Sequence, residues 1–170
     1  MITKKMSEAL NGQINKEMYS AYLYLSMSAY AETIGLSGFA NWFYVQYQEE
    51  TEHAMRIYHY LQEQGDAVKL KTIEQPPVEF ESPMQMFEAT LEHEKFITKS
   101  INDLVDLAIE EKDHATHIFL QWFVTEQVEE EANDNTIIDK LKLIGDQTNA
   151  LFMLDKELAQ RQFVSELNNE

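Results

Sequence analysis

"DAVKLKTIEQPPVEFE", residues 66–81, is the stretch on which the fold turns. It holds two adjacent prolines and no apolar stripe at helical spacing, and it lies between two long segments that have one. Structureless connections of this length are uncommon inside compact domains. At roughly 3.3 Å per residue, its 16 residues reach about 50 Å. A helix of about 28 residues is about 42 Å long. The connection can therefore run the length of a helix and let the next one start at the end where the previous one started. An antiparallel hairpin would use only a fraction of that reach.

Working outward, apolar residues recur every three or four positions on both sides. The first segment runs from Ser7 to about Ile34, with Leu10, Ile14, Met18, Ala21, Leu25 and Ala29 as its stripe, and Gly35 breaks it. The second runs from about Ser37 to Gln64 and stops at Gly65. The third opens at "SPMQ": Ser82 is a good N-cap, Pro83 suits the first helical position and Gln85 completes a capping box. It continues to about Glu111. The fourth starts near Asp113 and ends before Gly145. A short fifth, about 146–162, carries Ala150, Leu151, Leu154 and Leu158 on one face. The polar tail after Phe163 is expected to fray. The fold class is all-α: a four-helix bundle over about 5–145 with one long crossover between helices two and three, plus a short C-terminal fifth helix. Residues 1–170 read as a single domain. Four helices already close a bundle, so the fifth needs a neighbouring subunit as partner.

Thirty acidic residues against thirteen basic ones give a formal charge of −17. Such a surface repels phosphate backbones and anionic lipid, so neither nucleic acid nor a membrane is an expected partner. There is no cysteine, which removes disulfides, zinc ribbons and thiol nucleophiles. Any metal site must use Glu, Asp, His, Gln or Tyr. Neither a signal peptide nor a membrane-spanning run is read, and a cytoplasmic location is the expectation.

The stretch "YQEETEHAM", residues 47–55, crowds Glu49, Glu50 and Glu52 beside His53. Taken alone, it is usually a solvated charged face. Its spacing against the rest of the chain reverses that reading. Glu17 and Glu50 are 50 − 17 = 33 residues apart, with their midpoint at the Ile34–Gly35 break. In an antiparallel pair they stand level. Glu94 and Gln127 are also 127 − 94 = 33 apart, centred on the predicted turn at Glu110–Glu111. One offset relates the halves: 94 − 17, 127 − 50, 126 − 49 and 130 − 53 all equal 77. Glu50 with His53, and Gln127 with Glu130, are i, i+3 pairs that share a helix face. If those faces point inward, Glu17, Glu50, His53, Glu94, Gln127 and Glu130 converge. Buried carboxylates without partners would be prohibitive. Two metal ions bridged by a shared carboxylate neutralise them, as in di-iron carboxylate bundles. On spacing alone Glu129 and Glu131 read equally as surface charge. His59, His93, His114 and His117 read as solvent-facing or locally bonded, and Trp42, Phe43, Phe119, Trp122 and Phe123 as core.

With "NKEMYSAYLYLSM" (15–27), "YQEETEHAM", "LEHEKFI" (91–97) and "WFVTEQVEEE" (122–131) in hand, the whole chain resembles the ferritins, of the non-haem bacterial type. The resemblance implies a homo-oligomeric cage, usually of 24 subunits, around an iron store. It also implies ferroxidase activity, with Fe²⁺ and O₂ or H₂O₂ as substrates. By resemblance, Glu17, Glu50 and His53 hold one iron, and Glu50, Glu94 and Glu130, with Gln127 close by, hold the second. Glu49, Glu126 and Glu129 match a third iron position, and Tyr24 matches an electron donor beside the centre. Bacterioferritins have His in the second motif and a haem-ligating Met directly after the first motif's Glu. Here Glu130 and Thr51 stand in those places, so no haem is expected. Animal ferritins line their three-fold channels with Asp and Glu early in helix four, where this chain has Thr116, His117 and Leu120. The rival readings are a di-iron oxidase or peroxidase that keeps its metals, and a helical bundle without catalysis.

Overall fold

A computed structural model describes residues 2–165. Five helices follow in order: α1 (Lys4–Thr33), α2 (Ser37–Glu63), α3 (Pro83–Glu110), α4 (His114–Ile144) and α5 (Thr148–Leu158). Among the described residues there is no strand. The ends have local causes. Thr3 caps α1, its hydroxyl accepting from the Met6 N–H at 3.2 Å. Gly35 and Gly65 end α1 and α2 at φ 79° and 73°, a region that costs glycine little. The α3–α4 turn reaches φ 54° at Lys112 without a glycine. Ser82 caps α3 by accepting from the Gln85 N–H at 3.1 Å. The reciprocal half of the expected capping box does not form, because the Gln85 side-chain carbonyl has no hydrogen-bond partner.

The crossover lies along α1. Asn11 Nδ2 donates to the carbonyl of Ala67 at 3.3 Å and Asn15 Nδ2 to that of Thr72 at 3.1 Å. Further along, Ser26 Oγ donates to Pro77 at 2.6 Å and the Tyr30 hydroxyl to Phe80 at 2.5 Å. Side chains from both ends of the helix thus satisfy linker carbonyls in rising order, and α3 starts beside the start of α2. Two antiparallel hairpins, α1–α2 and α3–α4, pack through α1 and α3, and α5 rests on α2 and α4.

The core is divided. One apolar cluster gathers Met27, Phe39, Trp42, Phe43, Phe87 and Ile138; the other gathers Leu10, Ile14, Ile57, Leu61, Ile101 and Phe123. Between them α1 places Gln13 and Glu17 inward, and this corrects the stripe read from the sequence. Met18 and Leu25 are half-buried and Ala29 is exposed, while Glu17, Tyr24 and Ala31 are buried. Phe119 and Trp122 are also only half-buried. For residues 166–170 the expectation of fraying lies outside the described residues.

Helix α2 has no side-chain cap of its own. Asp155 of α5 supplies one, its Oδ1 accepting from the Gly38 N–H at 2.8 Å and the Phe39 N–H at 3.1 Å. The close approach needs glycine: a Cβ at Gly38 would lie 1.7 Å from the Asp155 carbonyl oxygen. Gly38→Ala is therefore expected to undock α5 and cost about 1–2 kcal/mol for the lost cap and helix-end charge. A lowered melting temperature and faster amide exchange over 148–158 would show this; wild-type exchange there would refute it.

Candidate metal centre

The polar layer between the two apolar clusters is made by one inward side chain, or one i, i+3 pair, from each long helix. Glu17 on α1, Glu50 and His53 on α2, Glu94 on α3, and Gln127 and Glu130 on α4 are all buried. Ligand atoms of Glu17, Glu50 and His53 lie within 4.8 Å of one another. A second group with the same spread joins His53, Glu126 and Glu130. Across α3 and α4, Gln127 Nε2 donates to Glu94 Oε2 at 3.0 Å, so these two stand at one height.

Neutral donors hold some carboxylate oxygens and leave others open. Gln13 Nε2 donates to Glu17 Oε1 at 2.8 Å, and the Gln13 carbonyl accepts from Ser100 Oγ at 2.5 Å. Gln46 Nε2 donates to Glu130 Oε2 at 2.7 Å. The Tyr24 hydroxyl donates to Glu94 Oε1. Glu17 Oε2 and both Glu50 oxygens accept no hydrogen bond from an N–H or hydroxyl group; the two carboxyl groups face each other instead. His53 Nδ1 lies 3.4 Å from Glu50 Oε2.

Burial makes this layer electrostatically costly. Loss of hydration pushes the Glu50 carboxyl well up from its ordinary value, and negative Glu94 and Glu17 add to the shift. Glu130 is pushed well up by burial, then by Glu94 and Glu50. Glu17 and Glu94 are raised by burial; His53 and Gln13 pull the first back, and Tyr24 and Gln127 the second. Tyr24 rises well above its ordinary value through burial and then Glu94. The whole arrangement is a socket of carboxylates favouring positive charge, with oxygen donors and one imidazole of the kind first-row metals accept.

The remaining named residues part ways. Glu126 is half-buried and belongs to the second group. Glu129 is exposed and belongs to neither group. Glu49 is bound by Arg161, whose Nη2 is 2.6 Å from Glu49 Oε2. His93 is largely enclosed, its Nε2 2.8 Å from Ser20 Oγ, and burial lowers its pKa to about 4. Sequence reasoning passed over Gln13 and Gln46, although each stands one turn before a ligand candidate (17 − 13 = 50 − 46 = 4). It also passed over Asp134, one turn after Glu130, which is fully buried with no hydrogen bond to either oxygen. Burial and then Glu94 raise Asp134 to about 8.

Fold and site together define a four-helix bundle that gathers carboxylates and a histidine between its helices, the architecture of the ferritin-like carboxylate proteins. The family model described as a ferritin-like domain matches residues 7–144, and the chain belongs to that family. It is 46% identical to a bacterial non-heme ferritin of Campylobacter jejuni over 92% of this chain and 93% of that one. It is 41% identical to one of Staphylococcus haemolyticus, over 98% of this chain and all of that one. Among solved structures it resembles an open-pore ferritin from the hyperthermophilic archaeon Archaeoglobus fulgidus, with a TM-score of 0.95 and 56% identity over 95% of this chain and 100% of that one. A humanized archaeal ferritin matches with a TM-score of 0.96 and 54% identity, over 97% of this chain and 100% of that one. Among the described residues no helix is long and apolar enough to cross a membrane.

Proposed function

We propose that the chain is the subunit of an iron-storage ferritin that oxidises Fe²⁺ within each subunit and deposits the ferric product inside a cage, usually of 24 copies, in the cytoplasm. One observation carries the reading: three carboxylate oxygens of Glu17 and Glu50 are buried without N–H or hydroxyl donors beside His53. Glu50, open at both oxygens, suits a bridge between two iron ions. Glu17 offers Oε2 to the first ion together with His53, because Gln13 already holds Oε1. Glu94 and Glu130 serve the second ion, and Gln127 and Gln46 keep their carboxylates aimed. Tyr24 would steady Glu94 from its other oxygen, its hydroxyl donating to Glu94 Oε1. Two Fe²⁺ each lose one electron, and dioxygen, with two protons, takes both and leaves as peroxide. Peroxide itself can serve as oxidant. The second position, with oxygen donors alone, binds less tightly than the one with the imidazole and lets iron pass on. Glu126, half-buried beside His53 and Glu130, is the nearest further ligand on that path.

Excess Fe²⁺ added in air to the metal-free assembled protein tests this. Storage gives many more than two iron atoms per chain, with an electron-dense core in particles of unchanged size. Saturation at two per chain would instead mark a fixed di-iron cofactor, and oxidation no faster than in buffer would remove the catalytic role.

A further inference from the structure

A chain of hydrogen-bonded side chains crosses from the outer face of α1 and α3 to the centre. Its outer end is half-buried Lys16, which borders a groove between α1, α3 and the crossover together with Tyr19, Thr72 and His93. The Lys16 ammonium stands 5.5 Å from the centre of the Phe96 ring and donates to Ser100 Oγ, one turn further along α3. Ser100 Oγ donates to the Gln13 side-chain carbonyl at 2.5 Å, and Gln13 Nε2 donates to Glu17 Oε1 at 2.8 Å. Ser100 and Gln13 are both buried.

The two ends fix the sense of everything between them. An ammonium can only donate, and an ionised carboxylate can only accept. Ser100 therefore offers a lone pair to Lys16 and its proton to Gln13, and Gln13 turns its amide nitrogen, not its carbonyl, toward Glu17. Bonds ordered in this way strengthen one another. Without Lys16 nothing holds the order: the Ser100 hydroxyl is free to turn to a carbonyl of its own helix, a common local partner of a helical serine. Gln13 then loses the bond that sets its amide. We propose that Lys16, Ser100 and Gln13 act as one positioning unit for the first cation position, with Lys16 setting the direction of the chain that aims Glu17. Gln13 takes Glu17 Oε1, and Oε2, which has no N–H or hydroxyl donor, is left facing Glu50 beside His53. A lysine near a cation centre acting only through its charge would repel an arriving ion. Here the ammonium is engaged by Ser100 and the Phe96 face. The inference rests on Glu17 as a ligand of the first position, as in the function proposed above.

The test titrates cobalt(II), whose visible absorption reads ligand geometry, into the assembled, metal-free protein and follows the first ion bound per chain. The samples are wild type, Lys16→Met, Ser100→Ala, the double variant of these two, Gln13→Leu and Glu17→Gln. Lys16→Met keeps an apolar stem over Phe96 and removes the charge and the donor. Gln13→Leu is expected to weaken the first ion about 10-fold, the lower end of the loss when a partner of a metal ligand is removed, and Lys16→Met and Ser100→Ala, further from the ligand, about 3-fold each. Those two are expected to change the absorption band in the same way, and their double variant to match either one, as links of one chain should. Tighter binding in Lys16→Met overturns the assignment, because the ammonium would then act by repulsion alone. Losses that add in the double variant overturn it too, because each residue would then act separately. If Glu17→Gln weakens the first ion while Lys16→Met and Ser100→Ala leave affinity and absorption unchanged, the positioning unit is refuted and Glu17 stays a ligand. If Glu17→Gln binds the first ion as tightly as wild type, Glu17 is not its ligand and both readings fall.

Discussion

Glu50→Gln is expected to lower the initial rate of Fe²⁺ oxidation by about 100-fold or more while making the metal-free protein more resistant to heat. The first effect follows from geometry. Glu50 is the one centre residue with both oxygens open, and it faces Glu17 and His53 at once. An amide can offer one weak oxygen, not two charged ones, so it cannot bridge a pair of cations. Changing residues behind a metal ligand costs 10–100-fold in comparable sites, and losing the shared ligand costs at least the upper end of that range. The second effect follows from burial. In the metal-free protein the Glu50 carboxyl lies among Glu17, Glu94 and Glu49, with its pKa well raised. Gln has the same shape, cannot ionise and brings an N–H donor to the open Glu17 oxygen. Initial rates and melting temperatures of the metal-free forms check both halves. Near-normal oxidation would show that Glu50 is not the shared ligand. A lowered melting temperature would show that the crowded carboxylates cost the fold nothing.

Such a trade between stability and chemistry explains what the sequence exposes and what it hides. Helix ends were legible because they depend on local chemistry: Gly35 and Gly65 adopt positive φ, and Ser82 caps the helix that Pro83 opens. The crossover was legible because chain length limits where the next helix can start. The convergence of Glu17, Glu50, His53, Glu94 and Gln127 was legible because equal spacing about two turns sets equal height. The inward face of α1 was not. A search for apolar residues every three or four positions follows Met18, Leu25 and Ala29, whereas the buried face passes through Gln13, Glu17 and Tyr24. A polar residue at a core position carries no apolar signal, and Gln13, Gln46 and Asp134 all escaped for that reason. Contacts across more than a hundred residues escaped as well. Nothing near Gly38 announces that Asp155 will cap α2, and nothing near Glu49 announces Arg161. These depend on where α5 lands, which is a property of the packed molecule.

The metal-free protein is expected to lose stability as pH rises from about 5 to about 8, and zinc is expected to cancel or reverse that loss. Glu17, Glu50, Glu94, Glu130 and Asp134 all have raised pKa values in the folded chain, chiefly through burial. Between its unfolded and folded pKa values, each group keeps its proton when folded and releases it when unfolded. The unfolded state then binds fewer protons, so raising the pH favours unfolding. The contribution of each group is complete below its unfolded value and is lost as pH passes through its folded one. For Asp134 that window runs from 3.8 to about 8. Each such proton tilts stability by about 1.4 kcal/mol per pH unit. The formal charge of −17 also disfavours high pH, but that contribution is spread over the surface and is screened by salt. Two comparisons separate it from the buried layer. Asp134→Asn keeps nearly the same surface and should flatten the profile by up to one proton's worth. Zinc needs the carboxylates ionised, so it binds more tightly as pH rises, and the loaded protein should hold or gain stability over the same interval. Thermal melts of the three samples at matched salt decide the matter. A metal-free profile that is flat, or unchanged by zinc, would mean that these carboxylates are hydrated and ionised in the folded chain, and the socket would lose the electrostatic reason for its appetite for cations.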